Sequence, residues 1–111
     1  SPQYVAQLMI KIRAGEKNLA VIYSALPVAG VSGTLASRFT GANAIAAGNV
    51  VGKTGWLDAA YTLAGIVNSA DGTPLSFMIT SIRDGITADT KEAQDTLVTG
   101  MFSCGDNLSN H

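Results

Sequence analysis

A chain of 111 residues with 47% hydrophobic and 14% charged residues has apolar content enough for one compact domain and too much to stay disordered. Its formal charge of -1 offers no basic stripe for neutralising phosphates, so nucleic acid is excluded as a partner. The long uncharged stretches, 18–37 and 39–52, are broken by Pro27, Asn43 and several glycines and lack the sustained apolarity of a bilayer span.

Ser1-Pro2 pairs a capping hydroxyl with a fixed φ, and Val5, Leu8, Met9 and Ile12 follow at helical spacing with Gln7 and Lys11 opposite. The spacing predicts an amphipathic helix that ends near Gly15. The first ten residues lack the basic, apolar and small-residue regions of a leader peptide, so any leader is expected upstream of Ser1 or already removed. A shorter helix is predicted over 18–25, capped by Asn18 and stopped by Pro27. From Leu26 to Gly48 the glycines at 30, 33, 41 and 48 interrupt both periodicities, so irregular chain is expected.

Three strands are predicted over 49–57, 61–68 and 75–82, the last two joined by a turn that carries Asp71-Gly72. Both faces of the last two are apolar: Leu63 and Val67 oppose Ala64 and Ile66, and Leu75, Phe77 and Ile79 oppose Met78 and Ile82. Such strands belong to a sheet covered on both sides. After Gly85, the segment "TADTKEAQDTLVTGMF" predicts a closing helix that lays Ala93, Leu97 and Met101 on the sheet. The fold class expected is α/β in the broad α+β sense, an antiparallel sheet with helices on both faces. The two-sided apolar pattern asks for more helices than the chain supplies, so residues 1–111 are expected to be the C-terminal part of a larger domain whose remainder lies upstream.

Lys53-Thr54-Gly55 interrupts a stretch of small apolar residues. A phosphate-binding loop would need glycine at 47, where Ala47 stands, and a helix directly after the Lys-Thr pair, where a strand pattern follows instead. Taken alone, three residues also suit a solvated strand edge. His111 is the sole histidine and is terminal, which argues against a Ser-His-Asp triad, and the carboxylates, Asp58 among them, form no metal-ligand cluster. Cys104 has no second cysteine to pair with and is expected to be a half-buried small residue after the last helix.

The combination "LPVAGVSGTL", Arg38, "GKTG" and "LAG", together with the Ser-Pro helix start, resembles the C-terminal part of the D-alanyl-D-alanine carboxypeptidase/endopeptidase family of low-molecular-mass penicillin-binding proteins, from about Ser1 to Phe102. The resemblance implies a serine β-lactamase/DD-peptidase-like transpeptidase fold and acyl transfer on peptidoglycan stem peptides. It further implies acylation by β-lactams, an exported location in the periplasm, cell envelope or outside the cell, and no cofactor. It assigns substrate binding to Lys53, Thr54 and Gly55, and an oxyanion-hole backbone N–H to Trp56. A cation and a hydroxyl suit a terminal carboxylate, and backbone donors suit the oxyanion.

The family uses three motifs, S-x-x-K, S-x-N and the Lys-Thr-Gly strand. No serine here has Lys three positions on or Asn two positions on, so the nucleophile is absent from this chain and is implied upstream or on a second chain. The family often has Thr or Ser where this chain has Trp56, and Asp where it has Ser32. Ser32 is expected to serve the loop's structure, and Arg38 to form an ion pair or lie at the surface. Alternatives are a non-catalytic module that binds cell-wall peptides on the same scaffold, a β-lactamase, or an interaction segment in which Lys-Thr-Gly is coincidence.

Overall fold

The computed structural model describes residues 2–14, 20–57, 60–82 and 87–105. Asp58, Gly85 and His111, and the predicted cap Asn18, lie outside the described residues. The chain runs through helix α1 (Pro2–Ala14), a short α2 (Ala20–Ala25), two 3-10 turns (Gly33–Leu35 and Gly41–Ala46), strands β1 (Val50–Leu57), β2 (Ala60–Asn68) and β3 (Pro74–Ile82), and helix α3 (Ala88–Cys104). Among the described residues no helix is long and apolar enough to cross a membrane.

The strands form an antiparallel meander in the order β1-β2-β3. The alternation along β2 divides the core in two. Leu63 and Val67 join Leu35, Phe39, Val50, Phe77, Val98 and Phe102 on the α3 face, whereas Ala64 and Ile66 join Met9 and Ile12 on the α1 face. A strand buried at every interior position, Tyr61 to Val67, thereby has both sides covered, as its two-sided apolar pattern requires. Gly65 faces Gly52 across the ladder, and a Cβ on Gly65 would lie 2.1 Å from the Val51 carbonyl oxygen. The two strands approach this closely only because the side chain is missing.

The β2–β3 turn closes through Gly72 at φ 87°, with the Thr73 N–H donating to Ser69 Oγ and to the Asp71 carboxylate, each at 3.0 Å. Here the Asp-Gly signal and the observed hairpin coincide.

Three expectations are corrected. Leu8, placed in the buried stripe of α1, is 44% exposed, since the helix meets β2 and β3 along a line through Val5, Met9 and Ile12. Helix α3 does not lay Ala93 and Leu97 on the sheet: both are exposed, and the buried stripe is Thr90, Gln94, Val98 and Phe102, one residue further round. The rotation has a polar cause. It brings Asp95 to Arg38, and lets Gln94 Nε2 donate to the Tyr61 carbonyl at 3.2 Å and to Ser81 Oγ at 3.0 Å. Apolar periodicity alone is blind to such pairings. Third, Cys104 ends α3 as an exposed thiol and is neither half-buried nor beyond the helix.

The segment from 26 to 48 is irregular, as its glycines foretold, but it is also core. Ala29, Leu35, Phe39 and Ala46 are almost fully buried, and Val28 bridges Val51 on the outer edge of β1. Ser32 acts structurally, its Oγ accepting the Val28 N–H at 3.0 Å.

Candidate active site

Strand β1 places the Lys-Thr-Gly segment on an edge of the sheet. Backbone groups alternate along an edge strand. The Gly52 N–H donates outward to the Pro27 carbonyl at 3.0 Å, and the Val50 carbonyl accepts from the Ala29 N–H at 2.9 Å. Even-numbered residues of β1 therefore point their backbone groups away from β2. By the same alternation the N–H and C=O of Thr54 and the N–H of Trp56 face outward, and the segment from 26 to 48 covers this edge only as far as Gly52. Beyond it the edge is a row of backbone donors and acceptors with no backbone partner among the described residues.

Side chains alternate as well. Lys53 and Gly55 leave on the α1 face with Ala64 and Thr62 as cross-strand neighbours, while Thr54 and Trp56 leave on the α3 face beside Leu63 and Tyr61. The Lys53 side chain nonetheless turns back to the open edge, where Nζ donates to the Thr54 carbonyl at 2.9 Å. Thr54, 9% exposed, has its Oγ1 3.2 Å from Thr34 Oγ1 in the first 3-10 turn. A cation and a hydroxyl thus flank one short length of edge. A Cβ on Gly55 would stand 3.2 Å from Thr62 Oγ1, whose hydroxyl donates to the Gly55 carbonyl at 3.1 Å. Glycine at 55 keeps that side of the edge low.

Trp56 is 61% exposed, and its ring meets Tyr61 edge-on at 4.9 Å between centroids. Lys91 of α3 lies 5.1 Å over the same Tyr61 ring. Behind this group Arg38 is buried and chelated: its Nε donates to both Asp95 oxygens at 3.1 and 3.0 Å, and Nη2 donates to Asp95 and to the Lys91 carbonyl. The Phe39 N–H donates to the same carboxylate at 3.2 Å, which holds Phe39 at φ 58°, a strained conformation for a buried aromatic residue. Of the two expectations for Arg38, the ion pair is found and the surface position is not.

Sequence reading singled out Lys53, Thr54, Gly55 and Trp56 but missed Thr34, Tyr61 and Lys91. No spacing rule links residues contributed by a 3-10 turn, a neighbouring strand and a helix. A polar cleft of about 320 Å³ lies to one side, lined by Ser37, Thr40, Asn43 and Lys91 with Arg38 at its floor. The Lys-Thr-Gly ledge lies outside that cleft and is open on its outer side. Among the described residues no cluster of three or more His, Cys, Asp or Glu could hold a metal ion.

The chain is similar to known proteins along most of its length. It is 44% identical over 82 residues to carboxypeptidase DacB of Mycolicibacterium smegmatis, an overlap of 72% of this chain and 17% of that protein. To a carboxypeptidase of Mycobacterium tuberculosis it is 38% identical over the same proportions, 72% and 17%. Its fold matches penicillin binding protein 4 (dacB) from Haemophilus influenzae with a TM-score of 0.72 at 24% identity, covering 93% of this chain and 24% of that one. A second structure of that protein, complexed with a novel beta-lactam, matches with a TM-score of 0.63 at 25% identity over 97% of this chain and 25% of that one. The chain therefore spans a quarter or less of each relative's length. The family model for D-Ala-D-Ala carboxypeptidase 3 (S13) matches residues 1–101, and the chain belongs to that family.

Proposed function

We propose that residues 1–111 are the C-terminal part of a serine-type D-Ala-D-Ala carboxypeptidase or endopeptidase domain, exported to act on peptidoglycan stem peptides through an acyl-enzyme. In this reading an upstream serine attacks the carbonyl of the terminal peptide bond and its lysine partner takes the hydroxyl proton. The C–N bond then breaks as that proton passes to its nitrogen, D-alanine leaves as the amine, and water hydrolyses the ester. This chain supplies the wall of the site. The substrate's C-terminal carboxylate lies against Lys53 and Thr54, and the oxyanion accepts a hydrogen bond from the Trp56 N–H.

The observation that carries the reading is the open edge of β1 beyond Gly52, where Lys53 Nζ lies against the Thr54 carbonyl and the Trp56 N–H faces outward. An extended peptide added to that edge satisfies its backbone groups while its carboxylate meets the cation. Membership of the family and the beta-lactam complex of the Haemophilus influenzae protein support the same chemistry.

A labelled penicillin is the direct test. The full-length polypeptide is expected to become covalently labelled and to cleave D-Ala-D-Ala peptides, and residues 1–111 alone are not. A full-length polypeptide that takes no label and cleaves no such peptide removes the reading, and one that only hydrolyses the penicillin is a β-lactamase. Lys53→Ala in the full-length polypeptide is expected to slow turnover by on the order of 10²-fold or more. An unchanged rate would remove Lys53 from the site.

A further inference from the structure

The segment "LPVAGVSGTL" carries no titratable side chain, yet it is fastened to the edge of β1 at several points. The Pro27 carbonyl accepts from the Gly52 N–H at 3.0 Å, the Ala29 N–H donates to the Val50 carbonyl at 2.9 Å, and the Gly30 N–H closes the loop on the Leu35 carbonyl at 2.9 Å. Leu35 is fully buried, and Gly33, at φ 58°, sets the first 3-10 turn so close to Pro27 that a Cβ there would stand 2.9 Å from the proline ring. What this scaffold presents is the exposed Thr34, whose Oγ1 accepts the Thr54 hydroxyl at 3.2 Å. Among the described residues Thr34 is the one side-chain hydrogen-bond partner of Thr54 Oγ1.

Each of the two hydroxyls has one proton to donate and lone pairs to accept with. A carboxylate only accepts, so Thr54 can bind one only by turning its proton away from Thr34 and toward the ligand. Thr34 then rotates its own O–H and donates to Thr54 Oγ1, which keeps the 3.2 Å contact and leaves each proton on its own oxygen. A hydroxyl that accepts one hydrogen bond donates a stronger one. Without that reversal the oxygen of Thr54, a residue only 9% exposed, would lose its partner as the carboxylate arrives. We infer that Thr34 is a positioning residue for recognition of the substrate's C-terminal carboxylate, acting through the Thr54 hydroxyl and touching no substrate atom itself. This rests on the peptidase reading above.

The test compares, in the full-length polypeptide, kcat/KM for an acylated peptide ending in D-Ala-D-Ala with kcat/KM for the same peptide as its C-terminal amide. Wild type is expected to favour the carboxylate. Thr34→Val, which keeps the shape and removes the hydroxyl, is expected to lower the carboxylate-to-amide ratio about tenfold, and Thr34→Ser to keep most of it. In a Thr54→Val background Thr34→Val should lower the ratio no further, since no second hydroxyl is left to position. A loss of folded protein lowers both rates together and leaves the ratio unmoved; should the valine variant not fold, Thr34→Ala is read in the same way. A ratio that stays at the wild-type value without the Thr34 hydroxyl overturns the inference, and so does a drop in Thr34→Ser equal to that in Thr34→Val, an equal further drop in the Thr54→Val background, or a wild type with no preference for the carboxylate. Wild-type protein that cleaves neither peptide removes the peptidase reading and the inference with it, a different failure from an active wild type with an unmoved ratio.

Discussion

Lys53 and Thr54 leave β1 on opposite faces, yet both serve the same length of edge: the lysine is long enough to fold back to it, and the threonine is tethered beside it by Thr34. Replacing Thr54 with Val keeps the shape and removes the hydroxyl. In the full-length polypeptide this should cost only about 1 kcal/mol of stability while lowering kcat/KM by roughly tenfold or more. Unchanged kcat/KM would reduce Thr54 to a structural partner of Thr34. Arg38 and Asp95 are a different kind of pair, buried behind Tyr61. Asp95→Ala leaves a guanidinium buried without its carboxylate and frees the Phe39 N–H, so a loss of about 3–5 kcal/mol is expected in urea unfolding. Replacing both partners with apolar residues should recover much of it, because the buried pair gains little over a hydrophobic one. A double variant as unstable as Asp95→Ala would show that the ion pair itself, and not the orphaned charge, sets the energy.

At the scale of elements, the sheet owes its close β1–β2 contact to glycine. Gly65→Ala drives a methyl group into the Val51 carbonyl, and backbone cannot yield as a side-chain tip can. The variant is expected to lose at least about 3 kcal/mol and, since β1 must shift, to lose acylation with it. At Gly55 the added Cβ meets only the Thr62 hydroxyl at 3.2 Å, so Gly55→Ala should cost less than about 1 kcal/mol in stability. Equal thermal unfolding of the two variants would contradict this account of the strand contact. Helix α3 shows how polar pairing outranks apolar periodicity. Its buried stripe includes Gln94, which joins the ends of β2 and β3, so the helix is registered by hydrogen bonds as much as by Val98 and Phe102.

For the whole molecule the unfinished business is its edges. The alternation that turns even-numbered residues of β1 outward also turns Ser76, Met78 and Thr80 of β3 away from β2, and Ile82 is 77% exposed. Residues 1–111 in isolation are therefore expected to self-associate, and Thr80→Pro, which removes an outward N–H without touching the ladder to β2, should reduce the association seen by sedimentation. In the full-length polypeptide the same proline should destabilise strongly if another strand pairs with β3. Thr80→Pro with no effect in either setting would mean that the β3 edge is not a pairing surface.

By itself the sequence determined the strands to within a residue or two, the Asp71-Gly72 hairpin, the two-sided sheet and the strand that carries Lys-Thr-Gly, because each rests on local periodicity or turn chemistry. Only the tertiary structure decided which face of α3 is buried, that Arg38 is enclosed by Asp95, that the loop from 26 to 48 is core, and that Tyr61 and Lys91 stand behind Trp56. Those facts depend on partners tens of residues apart, and pairing at that range leaves no period in the chain for a local pattern to reveal.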